Sequence, residues 1–218
     1  TATRSIVDAL TKAIVEHRLH PGTKLAEQKL ADHFGVSRTL IRQALFQLVQ
    51  KRLISMAPAR GAFVATPSSD EARQVFAVRR MIEIEMTRNF VRHVTPAQIK
   101  ALKEHVAEEK AAVSRGDVAG RTDLLGDFHV RMALLMGNEV LAQILGELIS
   151  RCALITLMYQ SSNAAEHSAE EHAEILKAIT AKDEALAVQL MDEHLRNVEA
   201  GLPLDRKVPT NDIAMALA

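Results

Sequence analysis

The sequence predicts a mainly α-helical chain in two parts, a small N-terminal module with one β-hairpin and a larger C-terminal all-α antiparallel helical bundle. Three observations point there. Apolar residues recur at three- and four-residue spacing along most of the 218 residues, and alternating β-branched runs are scarce. Hydrophobic residues make up 48% of the chain, ample for a core, while Gly and Pro number only 9 and 6. The net charge of zero hides an asymmetry: residues 1–66 carry 10 Lys+Arg against 4 Asp+Glu, and residues 67–218 carry 17 against 23. A basic third joined to an acidic remainder fits one polyanion-binding module and one module with another task.

The first helix is expected from about Arg4 to His17, with Ile6, Ala9, Leu10, Ala13 and Ile14 as its apolar stripe. Leu19-His20-Pro21-Gly22 stops it. A second helix covers about Glu27 to His33, turning Leu30, Ala31 and Phe34 inward. After a tight turn at Gly35, a third helix runs from about Ser37 to Lys51, with Ser37 as its N-cap. Leu40, Ile41, Ala44, Leu45, Leu48 and Val49 form its buried face. Arg38 and Arg42 lie one turn apart on another face. A short helix with an apolar back and paired arginines near its N-terminus suits a DNA major groove.

Leu53-Ile54-Ser55-Met56 and Ala62-Phe63-Val64-Ala65 are short β-capable runs, separated by Pro58-Ala59-Arg60-Gly61. They read as a hairpin, the wing of a winged helix-turn-helix over residues 1–66. Residues 67–70 form the linker, where Ser69 or Asp70 can cap the next helix. Six helices follow within residues 71–201, over about 71–92, 96–114, 117–136, 138–160, 164–180 and 183–200. Thr95-Pro96, Arg115-Gly116-Asp117, Gly137-Asn138, Ser161-Ser162-Asn163 and Ala181-Lys182-Asp183 mark the breaks. Residues 202–218, with Pro203 and Pro209, form a tail that frays.

Several function classes find no support. No apolar run approaches a membrane span, and the N-terminus lacks a signal-peptide core. The single cysteine, Cys152, excludes an intrachain disulfide and suits a reducing cytoplasm. Its apolar helical setting reads as a structural thiol. His167-Ser168-Ala169-Glu170-Glu171-His172 puts its histidines five apart, whereas a metalloprotease helix uses four. No Gly-rich phosphate loop is present.

Among nine histidines, His129, His172 and His194 stand out, each inside a helix beside apolar residues. His172 and His194 flank the turn at Ala181-Lys182-Asp183. In an antiparallel hairpin they lie at similar heights, offset by about 3 Å of rise. With His129 from another helix, three imidazoles between helices suit a Zn²⁺-like ion, with one position left for water or a ligand oxygen. For three isolated histidines the alternative is core or surface residues with no ion.

The residues now resemble a family. Pro21-Gly22, Leu25, Glu27, Leu30-Ala31, Gly35-Val36-Ser37-Arg38, Arg42, Ala44-Leu45, Leu48 and Arg60-Gly61 followed by Val64 resemble the GntR family of bacterial transcription regulators. Arg79 with Glu83, Phe128-His129, Gly137-Asn138, Glu171-His172, Ile175 with Ala178-Ile179, Asp183 and His194-Leu195 resemble the ligand-sensing domain of its FadR subfamily. Six rather than seven helices look like the VanR branch. The resemblance implies a cytoplasmic homodimer on a palindromic double-stranded operator, a repressor as the family-weighted sign, and a small organic-acid effector.

At the DNA, Arg38 would donate two parallel hydrogen bonds to guanine, and Arg42 would reach a neighbouring base or a phosphate. Ser37 and Thr39 would bond phosphate at the helix N-terminus. Arg60 and Gly61 resemble the wing tip that the family places at the minor groove. Gln28 stands where many relatives have arginine, a shorter, neutral donor. In the helical domain the resemblance implies His129, His172 and His194 as ligands of a divalent metal such as Zn²⁺, Ni²⁺ or Mn²⁺. The usual acidic ligand, four positions before His129, is here Leu125. Asp127 and Asp123 fall off that face. Three outcomes stay open: a three-histidine centre completed by water or effector, weak metal binding, or none. Arg79 faces the effector cavity by resemblance and would grip a carboxylate bidentately, or else pairs with Glu83 at i+4. An enzyme using the histidines as a hydrolytic metal centre is the competing reading; it lacks a convincing general base.

Overall fold

The computed structural model describes residues 2–15, 18–66, 68–159 and 162–202. They form nine helices and three short strands. The chain divides into two compact units. Among the described residues, one holds the chain to Ser68 together with Ala153–Met158; the other holds Ser69–Cys152 and the stretch from Tyr159 to Leu202.

In the first unit, α1 (Ala2–Val15), α2 (Glu27–Phe34) and α3 (Arg38–Gln50) accompany β1 (Lys24–Leu25), β2 (Ile54–Ala57) and β3 (Gly61–Val64). The end expected at His17 lies outside the described residues. On α1 the buried stripe is Ile6, Val7, Leu10, Ala13 and Ile14. Val7 takes the place expected for Ala9, which is exposed. The turn between α2 and α3 is made by Gly35 at φ 63°, a left-handed conformation that glycine adopts without a Cβ clash. Ser37 then caps α3, its Oγ accepting from Leu40 N at 3.3 Å. Ile41, Ala44, Leu45 and Leu48 are buried, while Leu40 and Val49 are only half-buried.

β2 and β3 pair antiparallel, with Ile54 opposite Val64 and Ala57 opposite Gly61. The hairpin expected from sequence is present, and it gains a third strand. β1 adds to the other side of β3, with Lys24 opposite Phe63. A two-residue strand carries no readable alternation, so this element left no sequence signal.

The second unit contains α4 (Ser69–His93), α5 (Pro96–Ser114), α6 (Val118–Leu135), α7 (Glu139–Tyr159) apart from its stretch Ala153–Met158, α8 (Ser162–Thr180) and α9 (Glu184–Ala200). α4 starts at Ser69 and takes in Asp70 and Glu71 as its acidic first turn. Thr95 and Gln98 form a reciprocal capping box on α5. Asp117 and Asp183 cap α6 and α9. α8 and α9 pack as an antiparallel hairpin, α9 also lies on α4, and α5 packs on α6 and α8. Met86, Phe90, Leu102, Phe128, Met132, Leu145, Ile175, Ile179 and Met191 form the shared core. Phe128 borders the polar cluster that this core surrounds, its ring stacked on that of His172 with centroids 3.9 Å apart.

Candidate functional site

The first unit presents α3 with its apolar back buried and Arg38, Thr39 and Arg42 exposed. Both arginines converge on one carboxylate that sequence reading had not assigned a role. Glu27, the first residue of α2, accepts from Arg38 Nη2 at 3.2 Å and from Arg42 Nε at 2.9 and 3.0 Å. Hydrogen bonds from Arg42 hold the Glu27 carboxyl below its usual range, with Arg38 adding to the effect. The arginine side chains remain more than half exposed, so these pairs contribute little stability. Their effect is orientation: the guanidinium groups are gathered at the start of the helix. Gln28 donates to Asp32 at 2.8 Å along α2. Ser37 Oγ is engaged as the α3 cap. In the hairpin, Arg60 lies over the Phe63 ring at 5.4 Å, and Gly61 sits at φ 95°, which a side chain would strain.

In the second unit His129 on α6, His172 on α8 and His194 on α9 come together, all buried. One ring nitrogen from each lies within 4.8 Å of the others. Three glutamates stand behind them. His172 Nδ1 lies 3.0 and 3.1 Å from the two oxygens of Glu109 on α5. His194 Nδ1 lies 2.7 Å from Glu171 Oε2 on α8. His129 Nδ1 lies 2.5 Å from Glu83 Oε2 on α4. This third contact is close in charge terms but off the N–H direction, and both atoms lack a hydrogen-bond partner among the described residues. Each carboxylate thus faces an Nδ1 and leaves the Nε2 lone pair as the available ligand atom, the arrangement in which carboxylates orient metal-ligating imidazoles.

The Nε2 atoms of His172 and His194 are 3.1 Å apart. With both Nδ1 protons directed at carboxylates, two acceptor lone pairs face each other, which requires a shared proton or cation. Two imidazole nitrogens on one Zn²⁺ are about 3.3 Å apart at the tetrahedral angle and about 2.9 Å at a right angle. The observed spacing falls between them. Charge agrees. Glu83 is matched by Arg79, whose Nε lies 2.6 Å from Glu83 Oε1. Glu109 and Glu171 stand behind the imidazole pair, so their negative charge favours a cation between the rings. The residues present therefore fit a divalent metal.

Ionisation follows from the packing. Burial pushes His129 down to about 4 and His194 to about 3. Burial alone would raise Glu83 and Glu109. Arg79 and His129 offset it at the first, and His172 and His105 at the second, holding both carboxyls at about 2. His105, on the far side of Glu109 at 3.2 Å, is raised by that carboxylate against the effect of its burial.

Leu125, in the place of the usual acidic ligand, is buried against Ala165 and Ala169 of α8 and offers no donor. Asp127 is exposed. Arg79 is buried and pairs with Glu83, as the i+4 spacing allowed, and it does more. Its Nη2 is buried without a hydrogen-bond partner among the described residues, and so is Thr87 Oγ1, two turns along α4. The pairing with Glu83 thus uses Nε and leaves Nη2 over. Glu109 was invisible in sequence because it meets His172 across 63 residues. Glu171 adjoins His172 in the chain but serves His194, since neighbouring residues on a helix point to different faces.

Comparison with known proteins agrees with both halves. Residues 2–64 match the family described as bacterial regulatory proteins, gntR family, and residues 74–197 match the FCD domain. The HTH-type transcriptional repressor RspR of Escherichia coli K12 is 24% identical over 196 residues, covering 89% of this chain and 86% of that protein. The HTH-type transcriptional regulator LutR of Bacillus subtilis is 26% identical, covering 83% and 92%. The solved structure of E. coli McbR/YncC shares the fold at a TM-score of 0.67 and 22% identity, covering 92% of this chain and 96% of that one. A transcriptional regulator structure from Rhodococcus sp. RHA1 does so at 0.68 and 22%, covering 91% and 95%. No helix among the described residues is long and apolar enough to cross a membrane.

Proposed function

This chain belongs to the gntR family of bacterial regulatory proteins and carries an FCD domain, and from that premise we propose that it is a metal-assisted sensor of a small carboxylate that controls operator binding. The chain is a DNA-binding transcriptional regulator by family; the effector, the metal and the sign of control are the proposal. The observation that carries it is the trio of buried imidazoles, each backed by a glutamate on another helix.

His129, His172 and His194 would hold the ion, with Zn²⁺, Ni²⁺ and Mn²⁺ as candidates. The ion would supply a Lewis-acidic docking point for a carboxylate oxygen. Leu125 leaves the ligand set neutral, which favours an anion in the remaining position. Arg79 would donate its spare Nη2 to the same carboxylate. Thr87, two turns further along α4, keeps a second buried polar atom without a hydrogen-bond partner among the described residues.

The proposed organisation is a DNA-binding domain over 1–66, a linker over 67–70, an effector domain over 71–201 and a tail over 202–218. In the first domain Arg38 reads a base, Arg42 reaches a neighbouring base or a phosphate, Ser37 and Thr39 support phosphate contacts, Gln28 supplies a shorter, neutral donor to a phosphate or base, and Arg60 and Gly61 enter the minor groove. The protein acts as a cytoplasmic homodimer on a palindromic operator, as a repressor. Effector binding shifts the population between DNA-competent and incompetent states by its differential affinity for them. The hydrolase alternative has no support in relatives that bear regulators' names.

The test is operator binding by fluorescence anisotropy, using an operator selected from random duplexes. Metal-loaded and metal-stripped protein are each titrated with a panel of small mono-, di- and tricarboxylates. A carboxylate that changes operator affinity at least fivefold in loaded wild type, and not in His172→Ala, supports the reading. Equal responses in loaded and stripped protein would remove the metal from it.

A further inference from the structure

The exposed face of α3 holds more than its arginines. At about 100° per residue, Thr39, Arg42, Gln43, Phe46 and Gln50 share one arc, opposite the buried Ile41, Ala44, Leu45 and Leu48. Phe46 sits near the middle of that arc and is 65% exposed, whereas Phe76, Phe90 and Phe128 are fully buried. A single exposed ring is ordinary by itself; what gives Phe46 a role is its place on the same arc as Thr39, Arg42 and Gln43. Its surroundings name the partner. Arg38 and Arg42 lie on the N-terminal side, and exposed Lys51 and Arg52 follow the helix. Cations at both ends fit a polyanion better than an apolar protein surface.

In the major groove the apolar feature is the 5-methyl group of thymine, and phenylalanine is one of the side chains that packs against it. Gln43 is three residues before Phe46, so the two side chains are neighbours on the surface. Glutamine is suited to adenine, accepting from N6 and donating to N7. We infer that Gln43 and Phe46 form a second reading pair on α3, specific for an adenine–thymine segment beside the guanine contact of Arg38. Phe46 lies about 12 Å along the helix from Arg38, which places the thymine within about four base pairs of the guanine.

This inference rests on the DNA-binding reading, and its test separates the two. An operator is selected from random duplexes with the full wild-type chain. Each thymine is then replaced singly by deoxyuridine, which removes only the methyl group, and affinity is read by anisotropy. At one or two thymines near the guanine, deoxyuridine weakens wild type about fourfold, the worth of one methyl-sized group. Phe46→Ala is weakened on the thymine duplex and indifferent to deoxyuridine there, while Phe46→Leu keeps the sensitivity. Gln43→Ala loses discrimination at the partner adenine by about 5- to 150-fold. Thermal melts confirm that these surface variants fold, and the deoxyuridine series needs no variant at all. A wild type that binds its operator specifically but ignores every deoxyuridine overturns the pair and spares the DNA-binding reading. So does an equal deoxyuridine response in Phe46→Ala. A change in oligomeric state on Phe46→Ala without altered base preference assigns the ring to a protein contact and overturns the pair. If no duplex is selected at all, both readings fall.

Discussion

Replacing Glu109 by glutamine removes the carboxylate behind His172, one of the three proposed metal ligands, without touching any of the three. Glu109 is fully buried, and its two oxygens lie 3.0 and 3.1 Å from His172 Nδ1. Glutamine is close in shape and its amide oxygen can still accept from Nδ1. What is lost is the negative charge that fixes the tautomer and raises the basicity of Nε2. Losing such a partner costs about 10- to 100-fold in metal affinity, or about 1.4–2.8 kcal/mol. The metal-free fold should change less, because Glu109 bears the cost of desolvating a charge that glutamine does not carry. The assay is chelator competition for Zn²⁺ with the purified full chain, alongside Glu170→Gln. Glu170 is exposed on the same helix as His172 and changes total charge equally. A Glu109→Gln affinity within twofold of wild type, or an equal loss in Glu170→Gln, would refute the reasoning.

Acid should unfold the metal-free protein in a defined window. His129 and His194 are held down at about 4 and about 3, while the unfolded residues titrate near 6.5. Their stability is complete above that value and is lost as pH falls toward the folded values, approaching about 2.7 kcal/mol per pH unit for two protons. Urea unfolding from pH 7 to 4.5 checks this, and a flat profile would contradict it. Arg79→Met leaves Glu83 buried beside an apolar chain and should cost about 3–5 kcal/mol in urea unfolding; a cost below about 1 kcal/mol would mean that the carboxyl has other support. Arg38→Ala should lose about 1–3 kcal/mol of specific operator binding. Loss of a phosphate contact in Arg42→Ala should instead lower the salt slope by about 1; unchanged operator binding by Arg38→Ala would remove α3 from base reading. Ser37→Ala deletes the α3 cap and should cost about 1 kcal/mol of stability in thermal or urea melts.

What sequence revealed and what it hid follow the range of the interactions. Helix α3 was legible because its cause is local: a serine cap, a glycine turn and an apolar period lie within fifteen residues. The same holds for the α8–α9 hairpin, where the Ala181-Lys182-Asp183 break set His172 and His194 at matching heights. β1 was illegible because two residues cannot display a period, and its pairing with β3 spans nearly forty positions. Val7 displaced Ala9 because both lie near the edge of the α1 stripe, where packing rather than spacing decides. The carboxylates divide the same way. Glu83 could be tied to Arg79 by i+4 spacing, but its approach to His129 depends on how α4 meets α6. Glu27 reaches Arg38 and Arg42 across the turn between two helices, a contact set by their crossing and not by any motif.

Extended X-ray absorption on the full chain after metal stripping, reloading with Zn²⁺ and desalting bears most directly on the sensor. The account predicts one ion per chain, with imidazole nitrogens at about 2.0–2.1 Å from three histidines, and loss of that signature in His129→Ala, His172→Ala and His194→Ala. No retained ion, or a shell unchanged by all three substitutions, would contradict it.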